Sequence, residues 1–185
     1  MSRWEPDGRR RLQEAALELY AEQGFSRTTA AAVAERAGLT ERTFFRYFAD
    51  KKEVLFGNEE RLQAVFVDAV SATPDTTPPR DAVAAGLEAL AAELGPHRES
   101  VLRRTAVITS EADLRERELM KLASWSAALA TVLRERGADA PDLVAEVAVA
   151  VFRVAFRRWV DGPADGDLAA HLRGALAELA VFDGT

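Results

Sequence analysis

The 185-residue chain contains no cysteine. That excludes disulfides, thiolate metal ligands and cysteine nucleophiles, and it suits a reducing cytoplasm. Histidine is almost as scarce. His97 and His171 lie too far apart in sequence for a histidine metal cluster, so neither a metal nor a cofactor is expected. Long apolar runs are also missing. The N-terminus, MSRWEPDGRRR, has no apolar stretch of the signal-peptide kind, and no later run approaches the ~18 uninterrupted apolar residues of a membrane span. A nucleophile paired with a base at motif spacing is not visible, nor is a phosphate-cradling glycine-rich loop, so an enzyme is not expected. These absences leave a soluble cytoplasmic protein that works by binding.

Apolar residues make up 48% of the chain and charged ones 29%, enough for a real core. The net charge of −6 is unevenly spread. Residues 1–56 hold 10 Lys+Arg against 9 Asp+Glu, whereas residues 57–185 hold 14 against 21. An acidic body thus follows an arginine-bearing N-terminal part, an asymmetry of the kind nucleic-acid binders show.

Every clear apolar pattern has helical period, and β-type alternation is absent. The pattern predicts an all-α protein of about nine helices. A first helix is expected over 9–23, ended by Gly24 at a position that favours positive φ. Thr28 or Thr29 can cap a second helix, which stops at Gly38, and Thr40 can cap a third. Asp50, with Glu53 three residues on, opens a fourth that reads as one long helix over 50–71. SATPDTTPPR (71–80) is the best loop candidate. Further helices are expected over 81–94, 97–109, 111–136, 143–160 and 166–182, the one over 143–160 apolar on nearly all sides. Residues 1–56 form one expected domain and 57–185 another, with the fourth helix connecting them.

The densest chemistry lies in TERTFFRYF (40–48), which sets four aromatic rings around two arginines. Two short helices joined by Ala37-Gly38-Leu39 have the dimensions of a helix-turn-helix, whose second helix enters a DNA major groove. Phe44 and Phe48, four apart, are expected on the core face. The same two arginines, Arg42 and Arg46, read alone, would pass for a solvated stripe. Arg9, Arg10 and Arg11 read equally as a plain basic N-terminus or as phosphate contacts.

Residues 9–56 resemble the TetR (tetracycline-repressor-like) family of transcriptional regulators. The run carries AA-x-x-L-[FY]-x-x-x-G-F, TT, VA-x-x-AG, T-x-x-T-x-[FY]-x-YF and K-x-x-[VL] in order, across about a quarter of the chain. The resemblance implies a DNA-binding head, a ligand-binding and dimerising body, and a repressor released from a palindromic operator by a small molecule. It places Thr40, Glu41, Arg42 and Thr43 at the start of the recognition helix, where Arg42 has the fork for guanine N7/O6 and Thr43 can bring a methyl to thymine or a hydroxyl to a base edge. Phe45 and Tyr47 fall at positions that approach phosphates, and Arg46 within reach of a base or a phosphate. Lys51 matches a phosphate-binding lysine, and Thr29 can meet a phosphate at the start of the second helix. Phe45 stands where Tyr is common, so a phosphate-directed hydroxyl is missing there. Ala30, Ala31 and Ala32 supply no polar group to the second helix.

In the body, ligand sites of helical proteins lie between helices and are mostly apolar. Leu62, Phe66, Leu102, Trp125, Phe152 and Phe156 are the candidate lining, with plain core as the competing reading. Ala170, Gly174 and Ala177 form a small-residue stripe on the last helix and are the candidate homodimer interface, core of a monomer being the alternative. The competing function is a helical ligand-binding or protein-interaction module whose head does not read DNA.

Overall fold

The computed structural model describes residues 8–183, which hold ten α-helices and no strand. In chain order they are α1 (Gly8–Gln23), α2 (Ala30–Arg36), α3 (Glu41–Tyr47), α4 (Glu53–Phe56), α5 (Glu59–Ser71), α6 (Pro79–Leu94), α7 (Arg98–Ser110), α8 (Ala112–Glu135), α9 (Pro141–Asp161) and α10 (Leu168–Glu178). Short 3-10 turns cover Gly95–His97 and Leu179–Asp183. Among these residues no helix is long and apolar enough to cross a membrane. The expected all-α class is what the structure has, with ten helices for about nine.

The fourth helix is the main difference. The expected single helix over 50–71 is two helices, α4 and α5, parted at Gly57 and Asn58. The Gly57 carbonyl accepts a hydrogen bond from Arg9 Nη2 at 3.0 Å. A Cβ on Gly57 would fall 2.8 Å from that nitrogen and 3.1 Å from the Phe48 ring. The break is therefore held by tertiary partners, which local pattern does not announce.

The chain divides into two compact units. The first comprises Met1–Asn58 and Glu99–Glu118. Its core gathers Leu12, Ala16 and Tyr20 of α1, Val33 of α2, Phe44 and Phe48, and Val54, Leu55 and Phe56 of α4. Val107 and Ile108 of α7 and Leu114 of α8 complete it. The turn between α2 and α3 closes at Gly38, whose φ of 66° is one that residues with a Cβ rarely adopt. There Leu39 N–H donates to the Ala34 carbonyl at 2.8 Å and Gly38 N–H to Glu35 at 2.9 Å, the paired bonds of a Schellman ending.

Two arginines bind the α7 and α8 portions of this unit to α4. The guanidinium carbons of Arg104 and Arg117 stand 5.3 and 5.4 Å from the centre of the Phe56 ring. Arg104 Nε donates to the Leu55 carbonyl at 2.6 Å and pairs with Glu118 at 3.1 Å. Arg117 pairs with Asp50 at 3.2 Å and with Glu53.

The second unit comprises Glu59–Arg98 and Leu119–Thr185. Within it α6 packs against α5, α9 and α10, and α10 lies along α9. Gly86 of α6 allows the close crossing with α5, since a Cβ there would meet Phe66 at 2.6 Å and Val70 at 2.7 Å. The loop that precedes α6 is fastened by Arg136, which donates to the carbonyls of Thr73 at 2.8 Å and Pro74 at 2.7 Å. His171 of α10 is half-buried near Gly166, while His97 is exposed.

Candidate nucleic-acid interface

α3 is built to expose one face and bury the other. Phe44 and Phe48 are fully buried, their rings 5.6 Å apart, and hold the helix to the core of the first unit. On the opposite side Glu41, Arg42 and Arg46 are exposed, and Phe45 keeps 52% of its surface. Thr43 and Tyr47 are half-buried at the edge. Residues four apart on a helix share a face, which is why Arg42 and Arg46 emerge together opposite the Phe44–Phe48 pair.

Thr40 caps the helix. Its Oγ1 accepts the Thr43 N–H at 3.1 Å and lies 2.9 Å from the Thr43 hydroxyl. The two threonine hydroxyls bond to each other, which leaves the Thr43 methyl and the remaining hydrogen-bonding capacity of its hydroxyl for an outside partner. Thr29 caps α2 in the same way, accepting the Ala32 N–H at 3.1 Å, while Thr28 is buried and donates to the Gly24 carbonyl at 2.9 Å.

The two arginines on the open face differ. Among the described residues none bonds to the Arg42 guanidinium. The Arg46 guanidinium lies 5.0 Å from the Tyr47 ring centre, with Nη2 3.4 Å from the Tyr47 hydroxyl. Phe45 stands edge-on to Phe44 at 5.3 Å, which fixes an apolar ring on an otherwise polar face.

Several basic groups close to this face are committed inward, which sequence spacing did not reveal. Lys51 Nζ donates to the carbonyls of Phe25 at 2.9 Å, Thr28 at 3.0 Å and Ser26 at 3.4 Å. That engages the three protons an ammonium has. Arg11 donates to the Ala37 carbonyl at the start of the α2–α3 turn. Arg9 spans Gly57 and the Phe48 ring, and Arg10 pairs with Glu14 at 2.6 Å. Of the three N-terminal arginines, two therefore tie parts of the first unit together. The signal that could have shown this is the row of carbonyls left without partners at each helix end.

Tyr20, beneath this region, donates to the Lys51 carbonyl at 2.7 Å. Burial, and to a lesser degree the Asp50 carboxylate, push its phenol above the ordinary tyrosine range. At Asp50, burial works to raise the carboxyl. Bonds from the Glu53 N–H and from Arg117 outweigh it and hold the group below the usual range.

In the second unit four of the candidate lining residues form one aromatic row. Phe66 and Trp125 rings are 6.4 Å apart, Trp125 and Phe152 5.5 Å, and Phe152 and Phe156 5.5 Å, with Trp159 a further 5.9 Å on. Phe66, Trp125 and Phe152 are buried, while Leu62 and Phe156 are half-buried. Leu102 belongs to the first unit and is not part of this row. Arg98, which the sequence did not single out, stands 5.4 Å from the Trp159 ring centre and donates to the carbonyls of Trp159 and Gly162 at 2.9 and 3.0 Å. Ala170, Gly174 and Ala177 are all exposed on α10, and a Cβ on Gly174 would meet nothing within 4 Å.

A short capped helix, tied down by two phenylalanines behind a glycine turn and exposing two arginines, is the second half of a helix-turn-helix. The fold and this face define a helical DNA-binding regulator. Residues 12–57 match the model of bacterial regulatory proteins of the tetR family, and residues 77–182 match that of the MftR C-terminal domain. The chain belongs to the tetR family. It is 27% identical over 168 residues to MftR of Mycobacterium tuberculosis, a regulator assigned to mycofactocin biosynthesis, covering 83% of each chain. It is 34% identical over 82 residues to the transcriptional regulator TcmR of Streptomyces glaucescens, 44% of this chain and 36% of that one, so the match spans about a third of TcmR. Among solved structures, the Thermus thermophilus repressor FadR in complex with lauroyl-CoA shares the fold with a TM-score of 0.60 at 23% identity, over 96% of this chain and 94% of that one.

Proposed function

We propose that this chain is a homodimeric cytoplasmic repressor that binds a palindromic DNA operator through α3 and leaves it when a small molecule occupies the helical body. The observation that carries this reading is the open face of α3. It sets Arg42, unbonded among the described residues, beside Glu41, Phe45 and Arg46 on a helix anchored on its other side by the buried Phe44 and Phe48. Residues 1–56 supply the DNA-binding domain and residues 57–185 the ligand-binding and dimerising one.

Thr29, Thr40, Glu41, Arg42, Thr43, Phe45, Arg46 and Tyr47 form the contact set. Thr40 and Thr29 act mainly as caps that present their helices. Lys51 serves as an internal brace, because its protons already reach three carbonyls. The exposed Ala170, Gly174 and Ala177 stripe suits a helix of a second copy, which holds two heads at the ~34–36 Å spacing of half-sites one turn apart. The row Phe66, Trp125, Phe152 and Phe156, with Leu62 beside it, is the ligand lining. Its apolar character fits a ligand with a long or flat apolar part, and the lauroyl-CoA held by FadR makes acyl-CoA thioesters the first class to try.

The test is a fluorescence-anisotropy titration of a duplex selected from a random pool, followed by addition of lauroyl-CoA, lauric acid and free coenzyme A. Release of the bound duplex by the thioester and not by coenzyme A supports the reading. A duplex still held at saturating concentrations of each removes acyl thioesters as the ligand class. Failure to select any preferred duplex overturns the repressor assignment.

A further inference from the structure

We propose that Arg46 and Tyr47 act together as one phosphate anchor, leaving Arg42 as the only one of the two α3 arginines that reads a base; the inference rests on the DNA-binding reading above. The two side chains leave the same face of α3 but in different states. Arg42 is exposed and, among the described residues, unbonded, so its planar fork is free to meet the O6 and N7 of a guanine. Arg46 is laid over the Tyr47 ring at 5.0 Å, and its Nη2 lies 3.4 Å from the Tyr47 hydroxyl. Stacking occupies a guanidinium face and draws the group off the axis of the open face, toward the helix edge where Tyr47 sits.

Tyr47 is itself fixed. It is half-buried, its ring lies 6.5 Å from that of Phe48, and the start of α1 packs on it so closely that a Cβ on Gly8 would fall 3.2 Å from ring and hydroxyl. A braced phenol therefore sets the direction of Arg46. What the pair presents is a phenolic O–H and a cationic N–H side by side. Two adjacent donors with one positive charge match a phosphate oxygen, which accepts from both and carries no sequence information. A base edge would instead require the fork to leave the ring and turn back along the groove floor.

The experiment uses the full-length protein, the selected duplex and a set of single base-pair variants of it, titrated at several salt concentrations. For Arg46→Ala the expected result is a similar loss on every duplex, with the slope of log K against log salt reduced in size by about 1. Arg46→Lys, which keeps the charge, restores the slope. Tyr47→Phe keeps the ring and weakens all duplexes alike with the slope unchanged. Arg42→Ala relaxes the preference at one base pair. The inference is overturned if Arg46→Ala relaxes the preference at a particular base pair, or if it changes neither slope nor affinity. Both Arg46 variants alter an exposed side chain, and helicity by circular dichroism confirms that they fold. If the unaltered protein prefers no duplex, the DNA-binding reading falls and this inference with it, an outcome distinct from the others.

Discussion

Lys51 Nζ donates to the carbonyl of Phe25 at 2.9 Å and stands 4.3 Å from the centre of the same residue's ring. With Thr28 and Ser26 as further acceptors, the ammonium braces the turn between α1 and α2. Lys51→Met is expected to lower the stability of the first unit by about 1–3 kcal/mol, because carbonyls paired with a charge lose their donor. Chemical unfolding followed by circular dichroism measures this. The salt slope of DNA binding should stay unchanged. A slope that falls by about one with stability intact would mean that Lys51 meets a phosphate after all.

Gly86 is where α6 touches α5, with Phe66 and Val70 at 2.6 and 2.7 Å from the place of a Cβ. Gly86→Ala should destabilise by about 1–3 kcal/mol through overpacking, although alanine favours an unconstrained helix by about 1 kcal/mol. Thermal unfolding decides the sign. Trp125 fluorescence should shift too, because Phe66 lies between the glycine and the Trp125 ring.

How much of this could be read from sequence differs between the two units. The caps Thr29 and Thr40, the Gly24 and Gly38 endings and the buried Phe44–Phe48 pair are local signals, so the head was legible almost residue by residue. What escaped depends on partners distant in the chain. The α4–α5 break answers to Arg9 and Phe48, and the inward turn of Lys51 answers to carbonyls 23 to 26 positions earlier. In the body, helical period marked Phe66, Trp125, Phe152 and Phe156 as apolar. Their joining into one row, and the placement of Leu102 in the other unit, follow from packing that a periodic pattern does not encode.

Gly174 faces open space in the protomer. Gly174→Leu therefore leaves the fold of one chain intact, and its circular dichroism should match the parent. If α10 meets a second copy at this stripe, sedimentation should show monomers, and affinity for a palindromic duplex should drop far more than affinity for a single half-site. An unchanged dimer would move the interface elsewhere.

Asp50 accepts the Glu53 N–H at 2.8 Å and pairs with Arg117 at 3.2 Å, with half of its side chain still in water. Its folded pKa lies below the unfolded value of about 3.9. The stabilisation it gives is complete at neutral pH and disappears as pH falls below that unfolded value and through the folded one. Asp50→Asn should lower the stability of the first unit by a constant amount above pH ~6 and flatten part of its acid loss, so that the two proteins converge at low pH. Urea unfolding at a series of pH values checks it, and identical profiles for the two proteins would remove Asp50 from the account.

The open face of α3 is the surface proposed to read DNA. The most direct measurement is the affinity ratio between a selected duplex and a scrambled one, taken across a range of salt concentrations. If α3 reads DNA, the preference is ~10³ or more and the affinity falls steeply with salt, as phosphate contacts release counterions. Equal affinity for the two duplexes, or binding indifferent to salt, would contradict it.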